Sequence, residues 1–328
     1  MKISVVIPAY NAEKYLETAV KSAIDFSEVQ EVIIVDDGSR DSTLNLSFRL
    51  KEQNNKIKVY QHPEKQNKGA SASRNLGINL STSDYIAFLD ADDFYLPNRF
   101  DAEKTIFFEN PNVDGVYGAI SAHFISKIGK TRFEASKMTQ ITTISGSPHP
   151  EELLYVLLGI SKQYKGHIHL DALTVRKTVF SKSGFFDEEL EYAEDTDIII
   201  RIASTCNLVA GLIDQPVAMR GVHDTNRITR NSRKLYRSWA VVYNKLYTWG
   251  ENNGMPERAR LQCLKKALIR RTYNESFFQG LRFLFSLKKN YPELRTDAAA
   301  YREIVFGVFG DGLLGRIYIK FSNLLDIA

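Results

Sequence analysis

Ile3-Ser4-Val5-Val6-Ile7-Pro8-Ala9-Tyr10-Asn11 opens the chain on a pattern that returns twice, at Val32-Ile33-Ile34-Val35-Asp36-Asp37-Gly38-Ser39 and at Tyr85-Ile86-Ala87-Phe88-Leu89-Asp90-Ala91-Asp92-Asp93. Each is a short apolar run that breaks into polar residues, and Ile57–Gln61 is a fourth strand candidate between them. Runs that are apolar throughout, rather than alternating, belong to strands covered on both faces. Helical patterns fill the intervals, from Ala12 to Ile24, Ser42 to Gln53 and Ser71 to Leu80. That order predicts a mostly parallel sheet flanked by helices, an α/β fold of Rossmann-like type. Right-handed crossovers set the strand C-termini along one edge, where α/β proteins bind ligands. The polar clusters are expected to meet there.

Farther along the pattern loosens. Gly115–Ile128 contains a strand candidate, Ser145-Gly146-Ser147-Pro148-His149-Pro150 has loop composition, His169–Arg176 reads as a strand and Asp195–Ala203 as an amphipathic helix. Helices dominate from about Asn231, which predicts a domain over residues 1–225 and a helical C-terminal region over 226–328. At 328 residues the chain suits one large domain with an appendage. Its two cysteines, Cys206 and Cys263, exclude a disulfide scaffold and a thiolate metal site. No signal peptide and no run of 18 apolar residues stands out, so a cytoplasmic location is expected. The net charge of +4 hides an asymmetry: Arg220 to Asn290 carries 16 Lys/Arg against 4 Asp/Glu. Such a basic stretch fits an anionic partner or a solvated helical face.

Several strand-end residues have ordinary structural uses. Asn11 and Ser39 are expected as helix caps, and Asp36-Asp37 taken alone fits a cap or a turn. Asp90-Ala91-Asp92 is harder to explain so. On an extended segment both carboxylates point the same way, about 7 Å apart, and repel unless a cation neutralises them. Mg²⁺ or Mn²⁺ suits such hard oxygen ligands and also takes substrate phosphates. In Gly69-Ala70-Ser71-Ala72-Ser73-Arg74-Asn75, small residues at a helix start let an anion approach the backbone N–H groups. Arg74 is placed to reach a phosphate or the acidic cluster.

Taken in order, Val5–Asn11, Val35–Ser39, Gly69–Gly77 and Asp90–Asp93 resemble the motifs of family 2 glycosyltransferases over roughly residues 1–225. That resemblance implies a GT-A fold and an inverting enzyme using a nucleotide-sugar donor, a UDP-sugar, with Mn²⁺ or Mg²⁺. Pro8, Ala9 and Tyr10, with Asn11, would border uracil and ribose, and Asp36 or Asp37 would accept the uracil N3–H. Gly69 and Arg74 would complete the nucleotide site, with Asp90 and Ala91 beside the ribose. Asp92 would hold the metal, with Asp93 as a secondary candidate, and His223 resembles a family histidine near the diphosphate or metal. Tyr192-Ala193-Glu194-Asp195-Thr196-Asp197 looks like the family's acidic element, with Asp195 as general base and Glu194 as a secondary site residue. Thr196 stands where the family often has an aromatic residue.

Chemistry agrees with these roles. A single displacement needs a stabilised leaving group and a base within reach of the acceptor hydroxyl, and no covalent nucleophile. Asp195 could instead serve only electrostatically at a helix N-terminus. His167 and His169 alternate along a strand, as acceptor-pocket lining or as metal ligands. Gly310-Asp311-Gly312-Leu313-Leu314-Gly315 fits a dinucleotide motif in letters, but too little chain follows for a βαβ unit. The Gln-x-x-Arg-Trp element of processive synthases is absent, so a non-processive, bacterial-type enzyme acting on a glycan or lipid-linked acceptor is implied. Residues 270–289, with Phe277, Phe278, Phe283 and Phe285 among cations, fit a helix packed on the protein or a peripheral contact with the inner face of the cell membrane. A sugar-nucleotide pyrophosphorylase is a second reading, weakened because Pro8–Asn11 has neither glycine nor a basic residue. A non-catalytic basic adaptor for membrane or nucleic acid is a third; it leaves the strand-end motifs unexplained, and no nucleic acid is expected as a partner.

Overall fold

A computed structural model describes residues 1–63, 65–136, 139–224 and 232–271. In chain order its elements are β1 (Ile3–Ala9), α1 (Leu16–Ile24), β2 (Val29–Asp36), α2 (Thr43–Gln53), β3 (Ile57–Gln61), α3 (Ala70–Leu80), β4 (Tyr85–Phe88) and β5 (Phe94–Tyr95). There follow α4 (Asp101–Glu109), β6 (Gly115–Tyr117), β7 (Ala119–Phe124), α5 (Lys127–Ala135), β8 (Ile141–Thr142), α6 (Pro150–Leu157) and β9 (Leu173–Arg176). Next come α7 (Val179–Ser183), α8 (Glu194–Thr205), β10 (Leu208–Ala210), β11 (Pro216–Val222), α9 (Ser232–Asn252) and α10 (Glu257–Arg271).

The main sheet has the order β10-β6-β9-β4-β1-β2-β3. β1, β2, β3 and β4 are parallel neighbours, and β9 runs antiparallel between β4 and β6. Both faces are covered, as the uniformly apolar strands require: Val5 and Ile7 face one core with Leu16 and Val20, and Val6 faces another with Ile78 and Phe88. Burying Ile33, Ile34 and their neighbours completely is the dominant stabilising term. A small sheet, β5-β11-β7-β8, carries β11 toward the same edge. The chain divides into two compact units, Met1–Asn231 and Ser232–Ala328. Within the second, α9 and α10 pack on one another through Val242, Leu246, Cys263 and Leu264.

Local departures from expectation have visible causes. α1 starts at Leu16 rather than Ala12: a separate turn precedes it, closed by Tyr15 N and Leu16 N donating to Ala12 O (2.9 Å each), while Ala12 N donates to Thr43 Oγ1 (2.7 Å) and Glu13 N to Asp41 Oδ2 (3.3 Å). Asn11 and Ser39 cap no helix. Asn11 N donates to Ser39 Oγ (3.0 Å) and Arg40 N donates to Asn11 Oδ1 (2.8 Å), so the pair ties two strand-end loops together. The strand expected over His169–Arg176 begins at Leu173, after a 3₁₀ turn at Leu170–Ala172. Most of 270–289 and all of Gly310–Gly315 lie outside the described residues.

Candidate active site

β1, β2 and β4 end on one edge, and hydrogen bonds join their loops. Asp37 N donates to Ala9 O at 2.8 Å, so Pro8 and Ala9 lie against the Asp36-Asp37 pair. Tyr10 projects outward, 45% exposed just beyond β1, and Asn11 takes a left-handed conformation, φ +50°. Asp36 is buried: its Oδ2 accepts from Ser39 N (3.3 Å) and Gln61 Nε2 (3.1 Å), and its Oδ1 has no partner. Asp37 accepts from Lys68 N (2.7 Å) and Gly69 N (3.0 Å). Gly69, at φ +92°, sits at the N-terminus of α3. The anion found at that helix start is therefore the protein's own Asp37.

Asp90–Asp93 forms a turn, closed by Asp93 N to Asp90 O at 3.1 Å, not an extended segment. The three carboxylates consequently diverge, while Ala91 is buried beneath them. Asp90 Oδ1 accepts from Arg74 Nη2 at 2.7 Å. Asp92 Oδ2 lies 2.8 Å from His223 Nε2, just beyond β11, and the Tyr15 ring stacks on that imidazole with centroids 4.9 Å apart. Asp93 points inward, accepting from Gly221 N at 2.8 Å. Burial, and then the facing Asp171 carboxyl, push the Asp93 acid well above the ordinary carboxylate range. Asp171 in turn accepts from Asp90 N at 3.1 Å.

Two groups could hold a cation. Asp92 and His223 converge from separate loops, with the Asp92 side chain 32% exposed, and one carboxylate with one imidazole fits Mn²⁺ or Mg²⁺ completed by substrate oxygens. Asp93, His169 and Asp171 also bring one ligand atom each within 4.8 Å of one another. Burial raises the pKa of both Asp93 and Asp171, which favours a shared proton there over two free carboxylates. Beside His223, a cleft of about 430 Å³ is lined by Asn11, Lys14, Tyr15, Ile125 and Asp224.

The acidic element at α8 sorts itself by partner. Glu194 Oε1 accepts from Arg74 Nη1 at 3.2 Å, and Asp197 accepts from Arg201 Nε at 2.9 Å. Asp195 is half-buried and its Oδ1 accepts from Thr196 N at 2.7 Å; no ion pair involves it among the described residues. Burial alone would lower the basicity of Arg74, but Asp90, Glu194 and Asp195 hold it above its ordinary value. The structure thus gathers Asp90, Arg74, Glu194 and Asp195 in one network, with Asp92 and His223 alongside. Sequence reasoning missed Asp171 and Tyr15. Asp171 sits in an otherwise apolar run, and Tyr15 falls within an apparent helix; neither position carries a motif.

A mixed α/β sheet with its polar groups at the strand ends, a small second sheet and a helical C-terminal region define a GT-A-like fold. Crystal structures of S. aureus TarS share it. Its residues 1–349 give a TM-score of 0.58 at 21% identity, covering 94% of this chain and 81% of that one. The same fragment in complex with UDP-GlcNAc gives 0.61 at 21% identity, covering 94% and 82%. Residues 4–169, half of the sequence, match Glycosyl transferase family 2, and the chain belongs to that family. An uncharacterized glycosyltransferase of Haemophilus influenzae is 33% identical over 109 residues, 33% of this chain and 43% of that protein. Escherichia coli YibD, also an uncharacterized glycosyltransferase, is 34% identical over 110 residues, 33% and 31%. The matched stretch spans less than half of either relative. Another, RT0329 of Rickettsia typhi, is 27% identical over 259 residues, 74% of this chain and 72% of that protein. Neither the pyrophosphorylase nor the basic-adaptor reading accounts for this membership.

Proposed function

We propose that this chain transfers a sugar from a UDP-sugar to a hydroxyl of a glycan or lipid-linked acceptor, in a single displacement that inverts the anomeric centre. The observation that carries the proposal is the meeting at one sheet edge of a carboxylate–imidazole pair, Asp92 with His223, and a carboxylate without an ion pair among the described residues, Asp195, across the buried Arg74. The TarS structure that holds UDP-GlcNAc supports a UDP-sugar as donor.

In this reading Pro8, Ala9, Tyr10 and Asn11 border the uridine, and exposed Tyr10 supplies a ring face for the base. Asp36 or Asp37 accepts the uracil N3–H; of the two, Asp36 retains an oxygen without a partner. Asp90 turns toward the ribose. Asp92 and His223 hold Mn²⁺ or Mg²⁺. Such a cation stabilises the negative charge on the departing diphosphate. Asp195 takes the proton from the acceptor hydroxyl, which attacks the face of the sugar opposite the diphosphate. One displacement leaves no covalent sugar–enzyme intermediate.

The aromatic and basic residues 270–289 are proposed to touch an anionic membrane surface, where a lipid-linked acceptor would lie. No helix of the described residues is long and apolar enough to cross a membrane. The test is UDP release from a panel of UDP-sugars with Mn²⁺, followed by NMR of the anomeric proton in the product. Release from one sugar with inverted configuration is expected. Retained configuration would refute the single displacement, and silence across the panel would refute the donor class.

A further inference from the structure

Arg74 is a buried cation at the centre of the site. Its side chain is 5% exposed, on the second turn of α3, and it reaches two carboxylates from distant parts of the chain. Nη2 lies 2.7 Å from Asp90 Oδ1 and Nη1 lies 3.2 Å from Glu194 Oε1, while the guanidinium carbon sits 5.5 Å from the centroid of the Phe186 ring. A planar fork can serve two separate acceptors with fixed geometry, which a lysine ammonium cannot. Glu194 is the first residue of α8 and adjoins Asp195. It follows Ala193, whose left-handed backbone, φ +59°, is costly for a residue with a Cβ and persists only where neighbours hold it.

We propose that Arg74 and Glu194 are positioning residues: a clamp that ties the first turn of α8, and with it Asp195, to the Asp90 strand end where the donor binds. The inference rests on the functional reading above for the roles of Asp90 and Asp195. It makes Arg74 neither a phosphate ligand nor a proton donor. Its task is to keep the base and the donor at a fixed separation, to which displacement rates are steeply sensitive.

The experiment uses Glu194→Ala, Arg74→Lys and the double variant in the full chain, with three readouts. First, UDP affinity and donor KM in Glu194→Ala stay within about twofold of wild type while kcat for transfer falls about 10- to 100-fold, as expected for a displaced base. Second, the double variant is no slower than the worse single one, since both substitutions break one linkage. Third, amide exchange accelerates by about tenfold in both single variants at Thr196 and Asp197, as local opening of that turn becomes easier. Those N–H groups bond Asp195 Oδ1 (2.7 Å) and Ala193 O (3.1 Å). Unchanged kcat, a raised donor KM with kcat intact, additive losses or unchanged exchange would each overturn the clamp. Should wild-type protein turn over no UDP-sugar, the functional reading falls by itself, and the exchange result alone then upholds or overturns the clamp.

Discussion

At the scale of single residues, the carboxylates of the site differ by their partners. Asp195 is the acid of its element without an ion pair among the described residues, so Asp195→Asn should keep UDP binding and lower transfer by about 10²-fold or more. Wild-type rates in that variant, measured by UDP release, would remove Asp195 from the mechanism. Asp93 is expected to behave in the opposite way. Its buried acid keeps a proton that the unfolded chain releases near pH 4, so the native state loses stability as pH rises from there toward the raised native value. Asp93→Asn offers Asp171 a permanent N–H and still accepts from Gly221 N. In EDTA its melting temperature should therefore match or exceed wild type at pH 8, with the advantage shrinking toward pH 4. Asp93→Ala, which removes the donor that faces Asp171, should melt lower throughout. Equal losses in both variants would mean that Asp93 is ionised. Such differences were not legible in the sequence. Asp90, Asp92 and Asp93 are neighbours of one type, and a turn in place of a strand sends one to Arg74, one to His223 and one into the interior.

At the scale of elements, the strands and crossover helices of the first ninety residues were legible because uninterrupted apolar runs and 3.6-residue periods are set by burial, which the sequence records directly. The ends of those elements were less so. The residues ahead of α1 form a turn of their own whose Ala12 N–H is tied to the loop after β2, and Asn11 and Ser39 bind each other instead of capping. Both outcomes depend on a partner about thirty residues away, which no local pattern carries. Packing of α3 is likewise invisible in the motif but sharp in the structure. A Cβ on Gly77 would lie 2.4 Å from Val6 Cγ1, so this helix meets β1 at a residue without a side chain. Gly77→Ala should push α3 off the sheet and cost about 1–3 kcal/mol. Because Arg74, which holds Asp90 beside the proposed donor, rides on the same helix, donor affinity should fall along with stability. A destabilised variant with unchanged UDP affinity, read by calorimetry below its melting range, would uncouple the helix from the site.

At the scale of the whole molecule, composition revealed the basic excess between Arg220 and Asn290 but not its use. In α9 and α10 part of it lies over aromatic rings: Arg270 is 4.8 Å from the Tyr243 centroid and 5.3 Å from that of Trp239, and Lys266 is 5.2 Å from Tyr243. Burial and then Arg270 push Lys266 down to about 8, so part of this charge lies half-buried against aromatic rings instead of on a fully solvated face. The described site residues all belong to the first unit, Met1–Asn231, and on that unit the functional account depends. Its central claim is that the strand-end edge binds a uridine nucleotide together with a divalent cation at Asp92 and His223. The most direct measurement is the melting temperature of wild type and Asp92→Ala with UDP, in Mn²⁺ and in EDTA. A ligand at a hundredfold excess over its Kd adds about 2.7 kcal/mol to native stability. Wild type should therefore gain several degrees with UDP and Mn²⁺, and lose most of that gain in EDTA or in Asp92→Ala. An equal gain in EDTA, or in the variant with Mn²⁺, would contradict the cation site, and no gain under any condition would contradict the nucleotide site itself.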